Sequence, residues 1–490
     1  MRGAARVNAR SGAPFEAILR APIVPILTGV RTANMELEGD AKRRLRPAAP
    51  IPHSRNLSTL QVLRELSRNP VAAFGARSYR EPYVYARSRI QDFLMISDPE
   101  GIRRVLLDNA GNYSKSVQFQ RLTRPALGNG LANAEASSWR FQRRLVAPMF
   151  SMRQIAEFAP AMAAAAEAEA ERWMGLGEGA EIDAAEAMMR LTYAIISQTL
   201  FSNDVKMQYG RMAEALSLYL ETQGRVGVLR TLGLPNWAPT PGNLRARAPL
   251  SYFRREIGEV IARRRQSLAR DAEGAPNDLL AMLLAARDPE GGRLFGEQEV
   301  FDNVMTFVFA GHETTANALA WTLYLLSQFP ETDARVADEI AAASRLEELV
   351  YTRMTIEESM RLYPPAPIVT RDSIGPDEVG GIAIRPGTFV MISPWVLHRH
   401  RRLWEEPDYF DPERFAPGRR DAIHRFAYIP FGAGPRICIG MGFAMQEALI
   451  ILSAILKRFR LELVAGHPVE PQARLTLRPK HGLKMRIWRR

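Results

Sequence analysis

One ten-residue stretch constrains this chain more than any other: Phe431-Gly-Ala-Gly-Pro-Arg-Ile-Cys438-Ile-Gly440. It holds the only cysteine among 490 residues, with Gly432, Gly434 and Gly440 around it and Arg436 two positions before it. A mostly apolar run able to form a helix, Met441 to Arg458, follows directly. Glycines let a backbone pass close to a flat ligand and take φ values that other residues avoid. The first turn of the next helix offers unpaired N–H groups and the positive end of a dipole, and both favour a thiolate over a thiol.

A lone cysteine is more often a small buried hydrophobe, so the rest of the chain has to decide. Composition sets loose bounds. With 47% hydrophobic and 24% charged residues, both signs mixed, this is the make-up of a soluble globular protein. Length alone would suit about three domains, a prior that motifs running from residue 139 to residue 440 would overrule if they converge on one site. A single cysteine excludes an intramolecular disulfide and fits a reducing, cytoplasmic setting.

The formal charge of +12 invites a nucleic-acid role, and its distribution argues against one. Residues 1–46 carry nine Lys/Arg and four Asp/Glu, residues 472–490 carry seven Lys/Arg and no acid, and the stretch between is balanced. Nucleic-acid binding needs a basic face on the folded module. No stable membrane span is expected either, because Phe15 to Val30 is interrupted by Glu16, Arg20, Pro22 and Pro25 and falls short of about 18–20 apolar residues. Residues 1–46 read as a disordered basic tail, or as sequence ahead of a true start at Met35, with an Arg-rich transit-like segment as the alternative.

In chain order, Leu60 to Leu66 reads as a short helix, Tyr83–Ala86 and Asp92–Ile96 as strands, and Pro99 to Asn109 as helical. Lys115 to Gly130, polar and broken by glycine, reads as loop-rich. Ser137 is available to cap a helix that carries Trp139 and Arg143 on one face, four residues apart. Ser151 to Arg287 is almost wholly helical in pattern, broken by Thr231 to Gly242. Leu461–Leu463, Leu475–Leu477 and Leu483–Trp488 alternate like strands.

Gln298 to Gln328 is one long apolar pattern with a polar interruption, Ala310-Gly-His-Glu313-Thr314-Thr315. Placing glycine, a carboxylate and two threonines in a buried helix costs stability, which points to a use. A small residue makes room beside the helix, a hydroxyl holds water there, and a carboxylate relays protons. Back-bonding of the threonine to the previous turn and a structural ion pair at Glu313 remain as alternatives. A zinc-protease reading fails, because position 316 is alanine where the second histidine belongs. Further on, Glu358 and Arg361 stand three apart in a helix ended by Pro364 and Pro365, and Phe410-Asp-Pro-Glu-Arg414-Phe415 follows.

Phe431-x-x-Gly434-x-Arg436-x-Cys438-x-Gly440 resembles the haem-binding signature of the cytochrome P-450 family, the haem-thiolate monooxygenases. The acid–alcohol helix, the Glu-x-x-Arg pair and the Phe410–Phe415 segment resemble that family's other motifs, in the same order. The resemblance implies a mainly α fold with a minor β-region (α+β), a single haem domain over residues 47–490, and haem b with Cys438 as the axial ligand of its iron. It places Trp139, Arg143, Arg371, Arg436, Phe431, Gly432, Gly440, Ala310 and Gly311 around the cofactor. Arg371 reads nearly as well as an exposed strand arginine. Thr314 and Glu313 are implied as the catalytic pair, and Glu358, Arg361 and Arg414 as a structural triad. Val304, Phe307, Val308, Ile368 and Val369 are candidate pocket residues.

The implied activity is insertion of one atom of O2 into a C–H or C=C bond of an apolar substrate, a fatty acid or terpenoid, by a soluble bacterial-type, monomeric enzyme. One cysteine leaves no ligands for an iron–sulfur cluster, so electrons are expected from ferredoxin and ferredoxin reductase, and from NAD(P)H only through them. A ferredoxin with an acidic surface is expected to dock near Arg140, Arg144 and the cysteine loop. A peroxide-using hydroxylase, a haem sensor and a purely structural protein are weaker readings, because the chain keeps the acid–alcohol pair and all four motifs.

Overall fold

The computed structural model describes residues 45–490 apart from 55–56, 58, 90, 203–208, 224–240 and 272–275. The expected tail up to residue 44 and the expected break over 231–240 therefore lie outside the described residues. Helices of seven or more residues are numbered here in chain order. They are α1 (Thr59–Arg68), α2 (Val117–Leu127), α3 (Ala136–Val146), α4 (Met152–Met174), α5 (Ala184–Phe201), α6 (Tyr209–Gln223), α7 (Pro241–Arg270), α8 (Leu279–Ala285), α9 (Glu297–Gln328), α10 (Pro330–Ala342), α11 (Val350–Leu362) and α12 (Met441–Leu456). The strands are β1 (Tyr83–Ala86), β2 (Phe93–Ile96), β3 (Tyr113–Lys115), β4 (Glu181–Asp183), β5 (Val369–Ser373), β6 (Asp377–Val379), β7 (Ile382–Ile384), β8 (Phe389–Ile392), β9 (Phe459–Leu463), β10 (Pro471–Ala473), β11 (Leu477–Pro479) and β12 (Lys484–Arg489).

The fold is mainly α, as expected. α9 is its axle. Every residue from Asp302 to Phe309 and from Thr315 to Leu326 is buried, and α9 packs along α5 while α12 packs along α4. At its far end Trp321 stacks on Tyr363 with ring centroids 4.1 Å apart. The largest sheet has the strand order β1-β2-β8-β5-β3. Its β2–β8 ladder is parallel, with Phe93 opposite Phe389, and its β5–β3 ladder is antiparallel, with Lys115 opposite Arg371. β9 and β4 flank β12, and β10–β11 form a hairpin.

Three local expectations are corrected. Lys115 to Gly130 is not loop-rich: it contains α2, whose first turn is capped by Ser116 accepting from the Phe119 N–H (3.1 Å) and which ends at Gly128 with φ +51°. The polar composition of this stretch concealed a helix bounded by a good cap and a C-terminal glycine. Ser137 does not cap α3, because Glu135 is the N-cap residue and Ser137 already lies inside the helix. Pro99 to Asn109 is helical in two pieces, an α-turn Pro99–Arg103 and a π-turn Arg104–Asp108.

Candidate active site

The cysteine loop is held by its main chain. The Cys438 N–H donates to the Phe431 carbonyl (2.9 Å), and the Ile437 N–H to that of Gly434 (3.1 Å). Gly434 has φ +70°, and a Cβ there would stand 1.8 Å from the carbonyl oxygen of Leu106 in the π-turn. Only glycine fits that combination. From α3, Arg143 Nη1 donates to the Ile437 carbonyl (2.9 Å). The Cys438 side chain is solvent-accessible although protein surrounds it closely. Burial pushes its thiol up, against the pull of the Gly440 N–H and of Arg143.

Behind the loop stands the triad. Glu358 and Arg361 are 0% exposed, and they pair through Nε to Oε2 (2.6 Å) and Nη2 to Oε1 (2.7 Å). Arg414 Nε lies 3.5 Å from Glu358 Oε1. Arg361 also donates to the carbonyls of His398, Pro407 and Tyr409, each at 2.8 Å. His398, which motif reading did not single out, carries the link onward. Its Nε2 accepts from the Ile429 N–H (3.0 Å), and the Ile429 carbonyl accepts from the Gly432 N–H (3.0 Å). Burial and two neighbouring arginines, Arg361 and Arg399, push His398 down to about 3, so it stays a neutral acceptor.

On α9 the burial pattern breaks at one place. Ala310 is exposed, and Gly311 and Thr314 are half-exposed, in the middle of an otherwise buried helix. Thr314 Oγ1 donates to the Ala310 carbonyl (2.7 Å). Phe150 lies between Phe307 of α9 and the cysteine loop. Its ring centroid is 5.6 Å from that of Phe307, and its edge lies 4.0 Å from where a Cβ on Gly440 would be. Glu313 is buried and accepts from Thr476 Oγ1 of the β10–β11 connection (2.6 Å). Burial pushes its carboxyl up, with Thr476 and Arg478 pulling the other way.

The residues expected to line the pocket on α9 lie in the packed part of the helix. Val304, Phe307 and Val308 are all buried, and Phe307 packs edge-on against Phe150. The accessible positions on this helix are those with small side chains, Ala310, Gly311 and Thr314. Phe309, which sequence reading missed, meets Tyr219 of α6 (5.8 Å between centroids) and Phe253 of α7 (5.3 Å), and Tyr219 in turn donates to the Leu122 carbonyl of α2 (2.7 Å). Ile368 and Val369 are half-buried beside an exposed Ala366.

A cluster of cations completes the site. The Arg436 guanidinium lies over the Trp139 ring (4.6 Å to the centroid), donates to the Ala134 carbonyl (2.8 Å) and pairs with Glu135. Arg371 donates to the carbonyl of Thr370 (2.9 Å). Burial, with Arg436 adding to it, lowers Arg371 to about 10. Opposite Arg371 stands Lys115, also missed from sequence, whose ammonium donates to the Ala132 carbonyl. Burial, then Arg371 and Arg436, lowers it to about 7. With Lys115 protonated, three cations and one carboxylate, Glu135, leave an excess of two positive charges.

Comparison with known proteins agrees with this geometry. The sequence model of the family described as cytochrome P-450 matches residues 47–486. The chain belongs to the cytochrome P-450 family. This P-450 is 35% identical over 395 residues to cyclooctatin synthase of Streptomyces melanosporofaciens, covering 77% of this chain and 83% of that protein. It is 34% identical over 402 residues to pentalenene oxygenase of Streptomyces avermitilis, covering 79% and 86%. Among solved structures it is similar to the haem domain of cytochrome P-450DA, with a TM-score of 0.78, 26% identity, and coverage of 90% of this chain and 98% of that one.

The residues fit the haem that this family implies. A haem carries two propionate carboxylates, which the two-charge excess of Lys115, Arg371, Arg436 and Glu135 complements. Cys438 offers one soft sulfur ligand, and a metal takes up a coordinating thiol as thiolate in spite of the burial that raises it. No group of three or more His, Cys, Asp or Glu able to hold a metal occurs among the described residues. None of the helices among them is long and apolar enough to cross a membrane.

Lys115 provides a test of this arrangement. In the cofactor-free protein its folded pKa is depressed to about 7, whereas the unfolded chain keeps it near 10.5. Between those values the unfolded state binds more protons, so this group makes stability rise with pH across that window. Lys115→Met is expected to flatten the rise in the urea midpoint of the apoprotein. An unchanged slope would remove Lys115 from the desolvated cluster.

Proposed function

We propose that this P-450 inserts one atom of O2 into a C–H or C=C bond of a cyclic terpenoid. The observation that carries the chemistry is the accessible Ala310–Gly311–Thr314 strip in the middle of the otherwise buried α9. When bound, haem supplies the oxygen activation. The protein holds the cofactor by Cys438 and the cations, keeps a small-residue space beside α9, and places the Thr314 hydroxyl there to hold water and pass protons. Terpenoid specificity is supported by the relatives named cyclooctatin synthase, pentalenene oxygenase and cyclooctat-9-en-7-ol 5-monooxygenase.

The test is the spectrum of the dithionite-reduced protein under carbon monoxide, followed by a substrate-shift screen. A strongly red-shifted Soret band and spin-state shifts with cyclic terpenes rather than fatty acids are expected. A band typical of histidine or thiol ligation would reject the haem-thiolate reading, and shifts confined to fatty acids would reject the substrate class.

Ferredoxin and its reductase are the proposed electron source, with NAD(P)H acting through them in a cytoplasmic setting. Arg140 is the proposed docking contact. Arg144 is engaged by Asp288 (2.8 Å) and Glu290 (2.8 Å), whereas Arg140 is exposed. Arg140→Glu alone is expected to slow reduction by ferredoxin at low salt, with the difference fading as salt screens it. Equal rates at low salt would move the docking site elsewhere.

A further inference from the structure

Methionine is mostly an interior residue in this chain. Among the described methionines only Met152 (76%) and Met441 (42%) are exposed, and both border the cysteine loop. Met152 opens α4, and Met441 opens α12 directly after Gly440. The Met152 Sδ lies 3.6 Å from where a Cβ on Gly442 would be, so it rests on the first turn of α12. Leu107 of the π-turn, 38% exposed, also borders the loop, with its Cα 3.4 Å from where a Cβ on Gly434 would be. Cations stand among these apolar groups. Arg153 follows Met152 with its side chain 93% exposed, and Arg140 is exposed one turn before Arg143, which bonds the loop. Flexible, polarisable thioethers suit an apolar contact with a partner protein, and the cations favour an acidic one. The same exposure opens both sulfurs to oxidants. Sulfoxidation turns the apolar thioether into a polar, chiral group, and its oxygen weakens a contact that buries it without a donor.

We propose that Met152 and Met441 form a peroxide-sensitive contact for the electron donor: hydrogen peroxide oxidises their sulfurs, and the sulfoxides hold the donor off the cysteine loop. This rests on the monooxygenase reading and on its acidic donor protein. The activity itself supplies the oxidant. When two electrons and two protons reach O2 and no atom is inserted, hydrogen peroxide is released. In the step assigned here a lone pair of Sδ attacks one peroxide oxygen, the O–O bond breaks and an S=O bond forms. The other oxygen leaves as water with both peroxide protons. Sulfur loses two electrons and the peroxide gains them. Methionine sulfoxide reductases, drawing on thiol reductants, return the thioether. Poorly coupled turnover thereby slows its own electron supply.

The haem-loaded wild type, Met152→Leu, Met441→Leu and the double variant test it, since leucine keeps the apolar volume and has no sulfur. Each is treated with a low dose of hydrogen peroxide and mapped by peptide mass spectrometry. Each is then reduced under carbon monoxide, once by dithionite and once by an acidic ferredoxin with its reductase. In the wild type, oxygen is expected on Met152 and Met441 ahead of the buried Met149 and Met162. Ferredoxin-driven reduction is expected to slow roughly 10-fold, the loss that follows from one polar group buried without a partner, with the dithionite endpoint unchanged. The double variant is expected to keep its own starting rate through the treatment, and methionine sulfoxide reductases to restore the wild-type rate. Sparing of both sulfurs, an unchanged ferredoxin rate after their oxidation, or equal slowing in the double variant overturns the proposal. If dithionite gives the red-shifted band in untreated wild type and ferredoxin does not reduce it, the donor reading is rejected and the proposal falls with it. Absence of that band in untreated wild type rejects the monooxygenase reading itself, and both fall.

Discussion

Serine in place of Cys438 is expected to abolish monooxygenation while leaving the polypeptide folded. The loop owes its shape to main-chain bonds, Cys438 N–H to the Phe431 carbonyl and Arg143 to the Ile437 carbonyl, and to the glycine that Leu106 requires at position 434. None of these involves the sulfur. Serine is smaller by little and keeps the backbone donor. What it removes is the soft, electron-rich ligand that favours O–O cleavage. The loss of turnover should exceed the roughly 10–100-fold that follows removal of an outer partner of a metal site. The melting temperature of the cofactor-free variant should match wild type within a few degrees. The red-shifted band of the reduced carbon monoxide complex should vanish. Retention of that band would show that another residue ligates the iron.

Alanine in place of Glu358 is expected to do the opposite, leaving the ligand intact and removing the framework that presents it. Both members of the pair are 0% exposed, so the variant strands the Arg361 guanidinium without its countercharge, at a cost of about 3–5 kcal/mol. That is a large share of the roughly 5–15 kcal/mol that holds a folded domain together. Isolated buried pairs can often be exchanged for apolar residues at little cost. Here that exchange should fail, because three carbonyls, those of His398, Pro407 and Tyr409, depend on Arg361, and the Asp411 N–H depends on Glu358 (2.9 Å). Haem content per folded protein and the urea midpoint should both fall for Glu358→Ala and for the double variant Glu358→Leu/Arg361→Met. Full recovery in the double variant would reduce the triad to a simple ion pair.

The residues legible from sequence are those whose role depends on short spacing. Glu358 and Arg361 are three apart on one helix, Arg143 and Trp139 four apart, and the cysteine loop is ten consecutive residues, so local geometry alone constrains them. Lys115 could not be found that way. Its place beside Arg371 depends on a strand register that joins positions 256 apart, and the stretch around it read as loop. His398 has no motif, and its part follows from Arg361 and Ile429 meeting it from opposite directions. Glu313 reads as a proton relay from its place in the motif, yet its nearest partner, Thr476, comes from a hairpin 163 residues later. Phe307 and Phe309 differ by two positions in an apolar run, and only the helix rotation sets which one faces Phe150 and which one faces α6 and α7.

The parallel ladder between β2 and β8 has a consequence for how the protein is made. Phe93 finds Phe389 only after 296 further residues have left the ribosome, an interval of about 15–60 s at about 5–20 residues per second. Until then β1 and β2 are a lone hairpin with an open edge, a structure of marginal stability that invites pairing with other chains. Lys115 waits a similar time for Arg371, and the cysteine arrives later still. Nascent chains therefore cannot capture haem as they emerge, and slowed synthesis lengthens the period in which the first hundred residues are exposed to misassembly. Cofactor loading is therefore expected to follow closure of the β2–β8 ladder, late in the biogenesis of this protein.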